Sequence, residues 1–119
     1  MIKSLLLIML VILAVCLPIS CGQPQPKPAD VGSESIISVP GLNEVYIAVD
    51  KEAFDEWIKA CNAKDYIGVA QMEALGKLFV VSNGTKVLVI DRHTFSREVR
   101  ILEGNATGKS GWLPYEWLK

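Results

Sequence analysis

The chain has 119 residues, room for one small domain beside a targeting segment. Its 12 Lys and Arg against 13 Asp and Glu give a formal charge of −1, which lacks the basic excess expected of a nucleic-acid binder. With one histidine and carboxylates scattered without ligand spacing, neither a metal site nor a cofactor is expected.

The N-terminus carries the strongest signal. Met1-Ile2-Lys3 is a short positive region, and the 15 residues from Leu5 to Ile19 follow without a charge. A membrane span needs about 20 apolar residues and a secretory core about 7–15, so residues 1–20 read as a signal peptide whose end Pro18 breaks. An uncleaved anchor is the alternative. The stretch LPISCGQ, residues 17–23, then places Cys21 directly behind the small Ser20. This resembles the lipobox of bacterial lipoproteins, in which the cysteine after the cleavage site becomes a lipid-bearing thioether. Pro18 departs from that pattern, standing where leucine is expected, with Leu17 one position further back. The resemblance implies export, a lipidated Cys21 with palmitate-type chains, and a membrane-anchored place at the bacterial cell envelope. The remaining chain would carry 11 basic against 13 acidic residues. Cleavage would remove Cys16 and acylation would consume Cys21, leaving Cys61 without a partner; a Cys21–Cys61 disulfide in an ordinary secreted protein is the rival reading.

Residues 21–42 read as the lipidated cysteine followed by a tether. Prolines at 24, 26 and 28 favour extended backbone of about 3.1 Å per residue, a semi-rigid spacer that lifts a domain off a bilayer. The alternative is a segment that binds an aromatic groove elsewhere; the reading adopted is a plain tether. Residues 43–76 read as a strand plus a helical hairpin. NEVYIAVD is apolar and strand-like, and Asp50 offers an acceptor to the free amides of a helix start. Phe54, Trp57, Ile58 and Cys61 recur at spacings of three and four, a stripe that expects to be buried and places Cys61 in the core. Asn62 closes that helix, Asp65 caps a weaker one interrupted by Gly68, and Gly76 ends it.

From residue 77 the period shortens to two. KLFVV and KVLVID flank an asparagine-glycine turn at 83–84, REVRILE is a third strand, WLP a fourth, and YEWLK a terminal turn with a fifth. GTKVLVID, EVRILEG and GKSGWLPYEWL together resemble the bacterial SH3-like domain in strand order, spacing and ending. That resemblance covers residues 77–119 and implies an α+β chain, a short helical hairpin followed by a small SH3-like five-stranded β-barrel. It further implies a ligand groove at Pro114 and Trp117, with Trp112 and Tyr115 close by, taking peptidoglycan peptides or an envelope protein. The family's acidic first loop with paired tyrosines is missing, and Ser96 stands about where a tryptophan usually precedes the third strand.

Other chemistry finds little support. GNATGKSG lacks the spacing of a phosphate loop: Glu103 stands where its first glycine belongs, and Gly111-Trp112-Leu113-Pro114 follows where a helix must start, so no nucleotide is expected. Cys61 as a nucleophile would need a base, and the one histidine, His93, lies far along the chain in a turn. NGT at 83 and NAT at 105 read as turn chemistry. The expectation is therefore a lipid-anchored envelope protein with a non-catalytic binding module. The alternatives are an accessory subunit that uses its helical half and, below that, a secreted disulfide-bonded protein or an enzyme.

Overall fold

The computed structural model describes residues 29–119. The signal peptide, Cys21 and the proline-rich stretch through residue 28 lie outside the described residues. Strand β1 (Glu34–Ile36) and β2 (Glu44–Ala48) lead into helices α1 (Lys51–Asn62) and α2 (Tyr66–Ala74). Strands β3 (Leu78–Ser82), β4 (Lys86–Arg92), β5 (Ser96–Ile101) and β6 (Ser110–Pro114) follow, ending in a 3₁₀ turn, Tyr115–Trp117. All six strands form one antiparallel sheet in the order β1-β4-β5-β6-β2-β3. Among the described residues no helix is long and apolar enough to cross a membrane.

The chain is thus α+β, but its plan differs from a helical hairpin followed by a five-stranded barrel. The helices are inserted between β2 and β3, which pair with each other from Glu44–Ser82 to Ala48–Leu78. The hairpin therefore begins and ends on one edge of the sheet instead of preceding it. The sheet is open, with β1 and β3 at its ends. The expected fifth strand at YEWLK is instead the 3₁₀ turn, after which Leu118 bridges Ile37 and the Lys119 and Ile36 backbones exchange bonds of 3.0 and 2.8 Å.

Period-two alternation separates two cores on the two faces of the sheet. Val45 and Ile47 of β2, Val81 of β3, Val87 and Val89 of β4, Val99 and Ile101 of β5 and Leu113 of β6 point to the inner face, where Ile37 and Leu118 join them. On the other face Ala48, Leu78 and Trp112 meet Ala53, Phe54, Trp57 and Met72 of the helices. Strand β6 is buried on both sides, Trp112 toward the helices and Leu113 toward the inner core. Gly111 permits this: a Cβ there would lie 2.5 Å from both the Ala48 carbonyl and the Ile47 Cγ2.

Local signals act as the sequence suggests at the helix starts. Asp50 accepts from the Ala53 amide at 2.7 Å and Asp65 from the Gly68 amide at 2.9 Å. Asn62 is the last residue of α1, and Gly76, at φ +75°, turns the chain out of α2. The asparagine-glycine turn forms, yet the strands flanking it do not pair. Asn83 donates through Nδ2 to the Val39 and Leu42 carbonyls at 2.6 and 2.8 Å and accepts from the Val39 amide at 3.0 Å. The Gly84 amide bonds to Ile37. These bonds go to the β1–β2 connection, so the chain passes from one end of the sheet to the other instead of folding back.

Cys61 also departs from expectation. It is exposed, because the apolar stripe of α1 is covered only as far as the sheet extends: Ala53, Phe54 and Trp57 are buried, Ile58 is half-buried, and the last turn projects beyond. Partial burial of its thiol pushes the pKa up, opposed by an interaction with the Trp57 side chain. The thiol is consequently less ionised at neutral pH than a free cysteine.

Candidate functional site

A groove of about 710 Å³ runs between α1, the β4–β5 turn and the C-terminal turn. The helix contributes Lys51, Phe54, Asp55, Ile58 and Lys59, positions three, four, seven and eight apart that share one helical face. The opposite wall is His93, Thr94, Phe95 and Ser96, and Pro114 with Glu116 closes one side. Phe54, Ile58, Phe95 and Pro114 give it an apolar floor. Its rims carry charge of both signs, Lys51 paired with Asp55 along the helix.

The β4–β5 turn is tied to the C-terminal turn. Arg97 donates from Nη1 to the His93 and Ser96 carbonyls, both at 2.8 Å, and from Nε to the Ala29 carbonyl at 2.8 Å. Its guanidinium lies 5.4 Å from the Tyr115 ring centre, and the Tyr115 amide donates to the Phe95 carbonyl at 3.1 Å. One side chain therefore links the turn that carries Phe95 to the turn that carries Glu116. On the helix side, Trp57 stands edge-on to Tyr46, Phe54 and Trp117 at centroid distances of 6.4, 5.9 and 5.7 Å. That cluster fixes α1 over the sheet.

The four aromatic and proline candidates separate in this frame. Pro114 is half-buried and lines the groove. Trp112 does not line it: alternation along β6 turns its ring into the layer beneath α1, where it is 7% exposed and packs as a core residue. Trp117 is half-buried and packs against both cores, supporting the groove from below through Trp57. Tyr115 faces Arg97 at the groove's flank, 37% exposed.

Phe95 is the residue that sequence reasoning missed. It is 71% exposed and stands one position before the fully buried Ser96, where an aromatic had been sought. The small Ser96 leaves the wall open, and Phe95 supplies the ring from the adjoining turn. An aromatic in the otherwise polar stretch RHTFS was the available signal.

Among the described residues no three His, Cys, Asp or Glu side chains are grouped to hold a metal, and Cys61 is not among the residues lining the groove with His93. The glycine-rich segment at 104–109 is a connection: the Ile101 amide and carbonyl bond to Lys109 and Gly108, each at 2.8 Å, while Lys109 lies over the Phe79 ring. A second apolar surface lies on α2, where Tyr66, Ile67 and Leu75 are each more than 70% exposed. Comparison with protein-family models, with curated proteins and with solved structures returned no match.

Proposed function

We propose that this is a lipid-anchored protein of the bacterial cell envelope whose SH3-like domain binds an extended peptide segment without catalysis. The observation that carries the reading is the groove itself. An exposed aromatic, a half-buried proline and an apolar helix face converge on one open channel, and Arg97 ties its β4–β5 turn to the C-terminal turn. Such a surface takes an extended chain with apolar side chains, as aromatic-lined grooves generally do. Support for the SH3-like plan comes from β4, β5 and β6 in consecutive antiparallel pairing and from the chain end returning to β1. The peptide could belong to cell-wall peptidoglycan or to an envelope protein.

The test is amide chemical-shift mapping with two probes, soluble peptidoglycan fragments and a peptide digest of envelope proteins. Saturable shifts at Phe54, Ile58, Phe95 and Glu116 with either probe support the reading and identify the source. Shifts scattered over the surface, or none with both, contradict it. The anchor has its own test. Cys21→Ala should abolish palmitate incorporation and leave an unprocessed precursor; normal maturation of that variant would remove the lipoprotein assignment.

The exposed apolar face of α2 favours a second reading, in which the helical half docks onto a partner subunit. A helix that is apolar on most sides yet buries only Met72 has more apolar surface than its own fold covers. Tyr66→Ser with Ile67→Ser should then disrupt a partner complex and leave groove binding intact.

A further inference from the structure

The chain enters its described fold at the β4–β5 turn that forms one groove wall, with Ala29 packed on the inner-core side. The Ala29 carbonyl and the His93 carbonyl are held by the same Arg97 guanidinium, and His93 is part of the groove wall. Ala29 itself has φ +78°, a left-handed turn that redirects the chain at this point. The six residues immediately before this turn are Gln23-Pro24-Gln25-Pro26-Lys27-Pro28. As extended polyproline backbone they would reach about 19 Å at 3.1 Å per residue. The helix face lining the groove, Lys51 to Lys59, is about 12 Å long at 1.5 Å per residue. The segment therefore exceeds the groove's helix wall by about 7 Å, the length left for it to round the β4–β5 turn from its anchored end.

The chemistry also matches. Alternating prolines present rings at regular spacing to an apolar floor of Phe54, Ile58, Phe95 and Pro114. Lys27 is the single charge between Cys21 and Ala29. Across the groove, Asp55 is paired with Lys51, while Glu116 is an exposed carboxylate on the rim. We infer that residues 23–28 of this chain occupy the groove in cis, with Lys27 facing Glu116, and that an external peptide binds by displacing them. This rests on the groove being a peptide site. A short tether presents its own segment at an effective concentration on the order of millimolar, so even a contact of millimolar affinity fills the groove about half the time. The tether is then a self-ligand that weakens binding of outside peptides until it is displaced.

A spin label tests this without any external ligand. In the processed, lipidated chain in detergent, whose Cys21 sulfur is blocked by the lipid, and with Cys61 changed to serine, Gln25→Cys carries a nitroxide while amide signals are recorded. Cis occupancy predicts strong broadening of Phe54, Ile58 and Lys59 on the far wall, and Lys27→Glu should reduce it by about half or more. Broadening confined to Arg92–Thr94 and Gly32, near the exit point, overturns the inference. So does far-wall broadening that disappears on dilution with unlabelled chain, which marks contact between copies, or broadening unaffected by Lys27→Glu. Failure here with peptide-induced shifts intact would refute self-occupancy alone. Failure of the peptide titration even for a chain carrying Pro24→Ala, Pro26→Ala and Pro28→Ala would refute the groove as a peptide site.

Discussion

Trp57 joins the two halves of the structure, and its removal gives a quantitative test of how α1 is held. The residue is 5% exposed and lies in a layer bounded by Ala48, Leu78 and Trp112 of the sheet and by Met72 of α2. Truncating a tryptophan buried to this degree costs about 3–5 kcal/mol through lost burial and the cavity left behind. Three edge-on partners surround it, and each such ring pair contributes about 0.5–1.5 kcal/mol within that total. A described domain of 91 residues has a stability of about 5–14 kcal/mol, so Trp57→Ala removes about a fifth of it or more. The midpoint of thermal unfolding should fall by at least about 12 °C, taking about 4 °C per kcal/mol for a domain of this size. Urea unfolding followed by circular dichroism measures the loss, and a double-mutant cycle with Trp117→Ala isolates the pair as a coupling of about 0.5–1.5 kcal/mol. A loss below about 1.5 kcal/mol, or no coupling to Trp117, would refute the packing described here. It would also remove the support beneath the groove's helix wall.

Gly111→Ala should destabilise the domain by about 1–3 kcal/mol or prevent folding, because the added methyl meets the Ala48 backbone and Ile47 at 2.5 Å; unchanged urea unfolding would contradict the close approach of β6 to β2. Cys61 should alkylate with a neutral maleimide more slowly at pH 7 than a model thiol, since burial raises its pKa and lowers the thiolate fraction. Its rate should climb about tenfold per pH unit through the mildly alkaline range, and a rate already flat at pH 7 would show the opposite shift.

How far the sequence discloses this architecture depends on whether a signal is local. Asp50 and Asp65 cap helices through bonds to amides three residues on, so both helix starts were legible. Strands β3 to β5 were legible from alternation, because one face of each meets the inner core, and β6, buried on both faces, from the terminal motif. Strand β1 was not: Glu34–Ile36 is three residues long, and its partners Lys86–Leu88 lie some fifty positions away. The same distance misled the reading of Asn83, whose side chain bonds to Val39 and Leu42 and draws the turn away from hairpin closure. Cys61 continued a helical stripe that the sheet beneath was too short to cover. In the groove, Pro114 followed from the terminal motif, whereas the motif does not disclose that Trp112 faces the layer beneath α1. Phe95 was overlooked because the α1 residues that line the groove with it are some forty residues earlier in the chain.

The most direct test sets the groove against the α2 face in one binding measurement. Soluble peptidoglycan fragments and the envelope-protein digest are titrated against the wild type, Phe95→Ser, and Tyr66→Ser with Ile67→Ser. Phe95 leaves about 140 Å² of its surface uncovered if a phenylalanine buries about 200 Å², and a ligand covering half of that gains about 1.8 kcal/mol at 25 cal/mol per Å². The account predicts that Phe95→Ser weakens binding of one probe about tenfold to thirtyfold without loss of stability, while the α2 variant binds as the wild type does. Equal affinity for Phe95→Ser and wild type, or a loss confined to the α2 variant, would contradict it.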